Sequence, residues 1–139
     1  MKEEQRKKSV TELKTFNVPF ALDEINKNIS LSINRINKPL KEEIINQAFK
    51  FHSDGKIPEA AKKYRYFIDQ GFKDQRVFSN YGVILKDLGN LQEAEISYRK
   101  AIEINPDFAD AHLNLGSIFR DLGNLQEAEL SYRKAIEIN

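Results

Sequence analysis

The phrase DLGNLQEAEISYRKAIEIN at Asp87–Asn105 recurs as DLGNLQEAELSYRKAIEIN at Asp121–Asn139. Only Ile96 against Leu130 differs, and the offset is 34 residues. Stepping back by the same interval finds a third, weaker copy with no gap. Gly55 aligns with Gly89 and Gly123, Glu59-Ala60 with Glu93-Ala94 and Glu127-Ala128, and Tyr64-Arg65 with Tyr98-Arg99 and Tyr132-Arg133. Asn46, Asn80 and Asn114 keep step, as do Ala48, Gly82 and Gly116. A period in this range means one supersecondary unit stacked on copies of itself, with a core buried only between neighbours.

Each unit reads as two helices. Ala111, Leu115, Ile118 and Leu122 fall at spacings of four, three and four, the stripe of an amphipathic helix. Gly123-Asn124 stops it, and a second stripe runs Leu125, Ala128, Tyr132, Ala135, Ile136. Pro106-Asp107 separates the second unit from the third. The spacing predicts first helices (A) near 41–53, 75–88 and 109–122, and second helices (B) near 57–69, 91–104 and 125–138. Gly82, Ala94, Gly116 and Ala128 let paired helices approach closely.

Leu115-Gly116, Phe119, Ala128, Tyr132 and Ala135 in the third unit, and Tyr81-Gly82, Leu85, Ala94, Tyr98, Ala101 and Pro106 in the second, carry a resemblance to the tetratricopeptide repeat (TPR) family. In the first unit Gln47-Ala48, Phe51, Ala60 and Tyr64 match, whereas Phe67 departs from the usual alanine and Phe72 from the usual proline. The resemblance implies an all-α, right-handed solenoid of three helical hairpins, repeats 41–74, 75–108 and 109–139, with the A helices lining the concave face. The LGNLQEAExSYRKAIEIN wording is most similar to the TPR arrays of O-linked N-acetylglucosamine transferases and related bacterial proteins.

Residues 1–40 differ in kind. They carry eight Lys+Arg against five Asp+Glu, a net of +3, while 41–139 carry fourteen against sixteen, a net of -2. The charged stretch 1–14 reads as disordered or as a frayed helix. Phe16, Val18, Phe20 and Leu22 alternate across Pro19 as an extended apolar stretch. Ile29, Leu31 and Ile33 alternate as a strand would, yet Ile25, Ile29 and Ile36 also fit a helix, and the pattern leaves both open. The whole segment is either a linker or a latch over the first repeat or into the groove.

The chain has no cysteine and two histidines, His52 and His112, which removes thiolate chemistry and multi-histidine metal sites. No P-loop, Rossmann glycine pattern, HExxH or GxSxG occurs. No cofactor and no catalytic activity are expected, and both histidines read as structural or solvated. A formal net charge of +1 gives no drive toward nucleic acid or anionic membrane. With no apolar run of eighteen residues and no signal-peptide core after Met1, the expected location is cytoplasmic. Arg99-Lys100 and Arg133-Lys134 read as a solvated outer face, with Glu95 to Arg99 and Arg99 to Glu103 spaced for pairing.

The candidate site is a ladder of Asn46, Asn80 and Asn114 at one position of helix A. Asparagine is a poor helix former, so three in register ask for a reason. The resemblance implies that such asparagines hold the backbone of an extended peptide, for which an amide offers both a donor and an acceptor. Arg76, Lys86, Asp87, Arg120 and Asp121 complete the expected peptide-binding face, together with Ser79, Val83, Asp110, Leu113 and Ser117. Ile45, Phe49 and Asp110 replace the cations and amide of the family's carboxylate clamp, so that clamp is not expected. The expected function is a protein–protein interaction module. The alternatives are a substrate-recruiting arm of a protein glycosyltransferase or other transferase system, as a truncated or split array, and a structural module self-associating through Leu122, Leu125 and Ile136.

Overall fold

The computed structural model describes residues 22–139. Six α-helices and no strand occur among them: α1 Leu22–Ser53, α2 Ile57–Asp69, α3 Gln75–Asp87, α4 Leu91–Ile104, α5 Ala109–Asp121 and α6 Leu125–Ile138. The expected B helices are found at their expected bounds. The A helices of the second and third repeats end one residue early, at Asp87 and Asp121.

The first A helix is the exception. It ends at Ser53 as expected but starts at Leu22, nineteen residues before 41, so residues 29–33 are helical rather than extended. Pro39 lies inside it. Proline there forgoes one backbone hydrogen bond of α1. Asp23 and Glu24 in its first turn and Lys50 and His52 in its last suit the helix dipole. The extended reading of residues 16–20 lies outside the described residues.

The chain divides into two compact units, 1–37 and 38–139. The described part of the first is the opening of α1, whose residues 23–35 are all exposed. The second contains the repeats. Its core falls into two clusters. One holds Ile44, Ile45, Ala48, Ala60, Tyr64, Phe67, Val77 and Ile84, and the other Leu85, Ala94, Tyr98, Leu115, Ile118, Phe119 and Ala128. These are the stripe positions of successive helices, so each interface is filled by the residues that set the period. Full burial of one such side chain stabilises by about 1.5–3 kcal/mol.

The turns between A and B helices repeat one geometry. Gly89 takes φ +80 and Gly123 φ +79, left-handed values that glycine adopts without strain. In each turn the next amide closes the helix: Asn90 N–H donates to Leu85 O at 2.9 Å and Asn124 N–H to Phe119 O at 2.8 Å. Inside the hairpins Gly82 and Gly116 serve closeness. A Cβ at Gly82 would lie 2.7 Å from Cε1 of Tyr98, and one at Gly116 2.7 Å from Cε1 of Tyr132. Helices α3 and α5 therefore each rest directly on the tyrosine ring of their own B helix.

The departures of the first repeat compensate one another. Phe67, in place of alanine, is fully buried, and its ring meets that of Phe72 at 5.4 Å between centroids. Lys41 Nζ donates to Lys73 O at 2.8 Å, tying α1 to the loop that Phe72 opens.

Candidate functional site

On helix A of each repeat, residues six and thirteen places in, seven apart, share one side, and residue twelve adjoins the last of them. In the second repeat these are Asn80, Lys86 and Asp87 on α3, and in the third Asn114, Arg120 and Asp121 on α5. The helical period brings the sixth and thirteenth together, and a side chain at the twelfth links neighbouring A helices. Lys86 Nζ crosses from α3 to α5, donating to Ser117 Oγ at 2.6 Å and lying 3.6 Å from Asp121 Oδ2. Arg120 donates to Asp121 Oδ1 from Nε at 3.2 Å and from Nη2 at 3.1 Å, and to Ser117 Oγ at 3.3 Å. Two cations thus share one carboxylate and one hydroxyl. The Asp121 hydrogen bond is the foremost cause that raises the Arg120 pKa above its ordinary value. Asp87 is exposed beside this cluster.

The asparagines do not share one environment. Asn46 is exposed, while Asn80 and Asn114 are half-buried. Asn80 Nδ2 donates to the Tyr64 hydroxyl at 3.3 Å, and that hydroxyl lies 2.9 Å from His52 Nδ1. The middle asparagine therefore bonds back to helix B of the preceding repeat. Burial raises the Tyr64 pKa and the Asn80 hydrogen bond partly offsets this. Tyr98 and Asn114 repeat the 16-residue offset of Tyr64 and Asn80, yet the Tyr98 hydroxyl is buried without a partner. Burial, and after it the Asp87 charge, push its pKa well up. Where the first repeat has His52 the second has Lys86, which turns to Ser117 and Asp121 instead.

The other expected groove residues are placed as follows. Arg76 is exposed but engaged: its Nε donates to Asp74 Oδ1 at 3.0 Å and its Nη2 to Asp74 Oδ2 at 2.8 Å, while its guanidinium lies 5.2 Å from the Phe49 ring centre. Asp74 also caps α3, accepting from Arg76 N–H at 2.9 Å. Burial raises the Asp74 pKa, but the Arg76 hydrogen bonds and the charges of Arg76 and Lys41 outweigh it, so the net shift is downward. Ser79 is buried, not open to the groove. Leu113 and Asp110 are exposed and Val83 half-buried.

On the B helices, Arg99 Nε donates to Glu95 at 2.8 Å as its spacing predicts. The expected pairing of Arg99 with Glu103 does not form. Lys100 takes Glu103 at 2.8 Å, and Arg99 lies over the Phe119 ring, 5.5 Å from its centre. His112 Nε2 lies 2.8 Å from Pro106 O, bracing the loop between repeats. Sequence reasoning missed the His52–Tyr64–Asn80 chain and the Lys86–Ser117–Asp121 bridge. The 16-residue Tyr–Asn offset was a usable signal: it holds for Asn80 and Asn114 and fails for Asn46, where position 30 is serine.

Among the described residues no group of three His, Cys, Asp or Glu is placed to hold a metal, and no helix is long and apolar enough to cross a membrane.

Comparison with known proteins agrees with this fold. Residues 82–119 match a TPR repeat family model and residues 109–139 a tetratricopeptide repeat model. No curated protein matches the chain. Among solved structures, the second TPR of Spaghetti (RPAP3), bound to the HSP90 peptide SRMEEVD, superposes with a TM-score of 0.74 at 18% identity, covering 82% of this chain and 98% of that one. The Arabidopsis OM64 TPR domain gives 0.68 at 20% identity, covering 74% and 85%. The TPR2B domain of yeast Sti1, in complex with an Hsp70 peptide, gives 0.64 at 24% identity, covering 70% and 78%. Residues 82–139 match tetratricopeptide repeat models, and the all-helical fold is that of TPR domains.

Proposed function

We propose that this is a non-catalytic interaction module, a cytoplasmic one, that binds an extended peptide or partner segment along its A helices. The observation that carries the reading is the polar strip on α3 and α5, where Lys86, Arg120 and Asp121 hold one another across neighbouring repeats. Such a strip is preorganised yet exchangeable, since a carboxylate on a ligand competes with Asp121 for two cations. Asn46 and Asn114 lie along the same side with amides free to meet a peptide backbone, and Asp87 and Arg76 border it. Three similar folds were solved with HSP90 or Hsp70 peptides, which supports the class of partner.

A peptide array probed with the full chain, followed by calorimetry on its hits, tests the proposal. Each backbone hydrogen bond contributes about 0.5–1.5 kcal/mol net. Replacing Asn46 and Asn114 by Ala should therefore weaken binding roughly five- to a hundredfold, at tenfold per 1.4 kcal/mol. Replacing Arg99, Lys100, Arg133 and Lys134 by Ala should leave it unchanged. Equal affinity of the asparagine variant and the parent sinks the assignment of the site.

A second reading is self-association through the far face of α6. Leu125 and Ile136 are 67% and 75% exposed there, whereas the equivalent Leu91 and Ile102 are half-buried. Light scattering that gives a monomer at every concentration removes it. The duplicated phrase supports a third role, recruiting substrates to a transferase, which requires a transferase to copurify with the chain.

A further inference from the structure

A cavity of about 270 Å³ lies away from the asparagine side of α3, where α2, α3 and α4 meet. Ile68, Phe78, Tyr81, Leu85 and Ile96 line it, and Arg65 stands at its edge. Of the two hydroxyls in its wall, that of Ser97 is already satisfied, because Ser97 Oγ donates to Phe78 O at 2.7 Å, and Asp69, Glu93 and Lys100 complete the lining. An occupant therefore meets a wall that is mainly apolar, with charged side chains beside it. Ile96, at the mouth, is 62% exposed. An apolar cavity of roughly 150 Å³ already takes a benzene ring.

The next repeat indicates what belongs there. One period on, Leu85 becomes Phe119 and Arg65 becomes Arg99. Phe119 is buried, and the Arg99 guanidinium covers its ring at 5.5 Å. In the earlier repeat Leu85 offers no π face. Arg65 instead reaches Asp69 at 3.9 Å, with both side chains largely exposed. An exposed pair of that length holds a guanidinium weakly. The arginine that caps a ring in one repeat stands beside an open apolar cavity in the other.

We propose that this cavity is a second docking site, which accepts one aromatic side chain of a partner polypeptide under the Arg65 guanidinium. The ring would lie against Leu85 and Ile68 and meet Arg65 as Phe119 meets Arg99. The site is separate from the Asn46–Asn114 side and does not depend on peptide binding there.

Methyl NMR of the full chain, titrated with N-acetylphenylalaninamide, tests it. N-acetylleucinamide and free indole serve as comparison probes. The expected result is saturable ring-current shifts at the Ile68, Leu85 and Ile96 methyls with the phenyl probe, and much weaker binding of the leucine probe. Arg65→Ala should weaken binding about two- to fivefold, the scale of an exposed cation–π contact. Leu85→Phe should supply the ring from within and abolish the shifts. Because that variant changes the core, Ile96→Asp provides a second arm: it lies at the exposed mouth, leaves the fold intact and should also abolish binding. Retained binding in Ile96→Asp overturns the proposal, as does equal affinity for the leucine probe. Binding of indole without the phenylalanine amide would make this a small-molecule site and overturns the polypeptide assignment. Shifts at these methyls that depend on protein concentration alone would make the occupant a second copy, with the same consequence.

Discussion

Tyr64 and Tyr98 occupy the same repeat position and are both fully buried, but their hydroxyls fare differently. Tyr64 has His52 and Asn80, and Tyr98 has nothing. A buried unsatisfied hydroxyl costs about 1–3 kcal/mol, whereas a made bond contributes about 0.5–1.5 kcal/mol. Tyr64→Phe is expected to destabilise by about 1 kcal/mol in urea titration, and Tyr98→Phe to be neutral or stabilising. Equal losses in both would mean that Tyr98 has a partner. Both tyrosine pKa values are raised above 10.0, so the folded state keeps protons that the unfolded state gives up. Their contribution is complete below about pH 10 and is lost as the pH rises beyond it. Asp74 runs the other way. Its pKa is lowered below 3.8, so its contribution is complete above that value and fades as the pH falls through the lower folded value. Asp74→Asn keeps an acceptor for the α3 cap but loses the charge. It should flatten the acid limb of stability against pH, read by thermal melts from pH 2 to 5. An unchanged limb would show that other carboxylates set it. The sequence displayed the asparagines as a ladder but not that the middle one faces back to a tyrosine, because a period shows which residues are equivalent and not where each side chain turns.

At the scale of helices, the boundaries of α2 through α6 were legible to within a residue, since Gly-Asn turns and Pro106 punctuate a strong apolar stripe. The start of α1 was not. Alternating Ile29, Leu31 and Ile33 mimic a strand, Pro39 mimics a stop, and no glycine marks a true boundary. The close approach inside the hairpins gives a sharp contrast. Gly82→Ala gains up to about 1 kcal/mol of helix propensity but drives a methyl to 2.7 Å from a buried ring. Overpacking of that kind costs about 1–3 kcal/mol, so a net loss is expected. Gly89→Ala meets open space and suffers only from its φ of +80, a cost of about 1–2 kcal/mol. A crystal structure of Gly82→Ala should show the Tyr98 ring displaced, and that of Gly89→Ala should show no shift in packing. A Gly82→Ala chain that melts higher than the parent would refute the close-contact account.

Across the whole chain, stability is a sum over neighbours, so a helix with partners on both sides outlasts one at an edge. Amide exchange should be slowest in α4, which packs between α3 and α5, and fastest in residues 23–35, which are exposed throughout. Slow exchange in 23–35 would mean that this stretch is covered in solution. The duplication has a further consequence for how such a protein changes length. Helices α4 and α6 differ only at Ile96 and Leu130, both of which are exposed. Copying residues 87–120 once more after Arg120 sets an α4 copy against α5, where α6 now packs, and a second α5 against that copy, as α5 now packs on α4. Nearly every helix interface in the longer chain already exists in the present one. Unequal crossover between the two halves of the coding sequence can therefore add a full repeat to the array in a single event, with almost no interface left to be evolved afterwards.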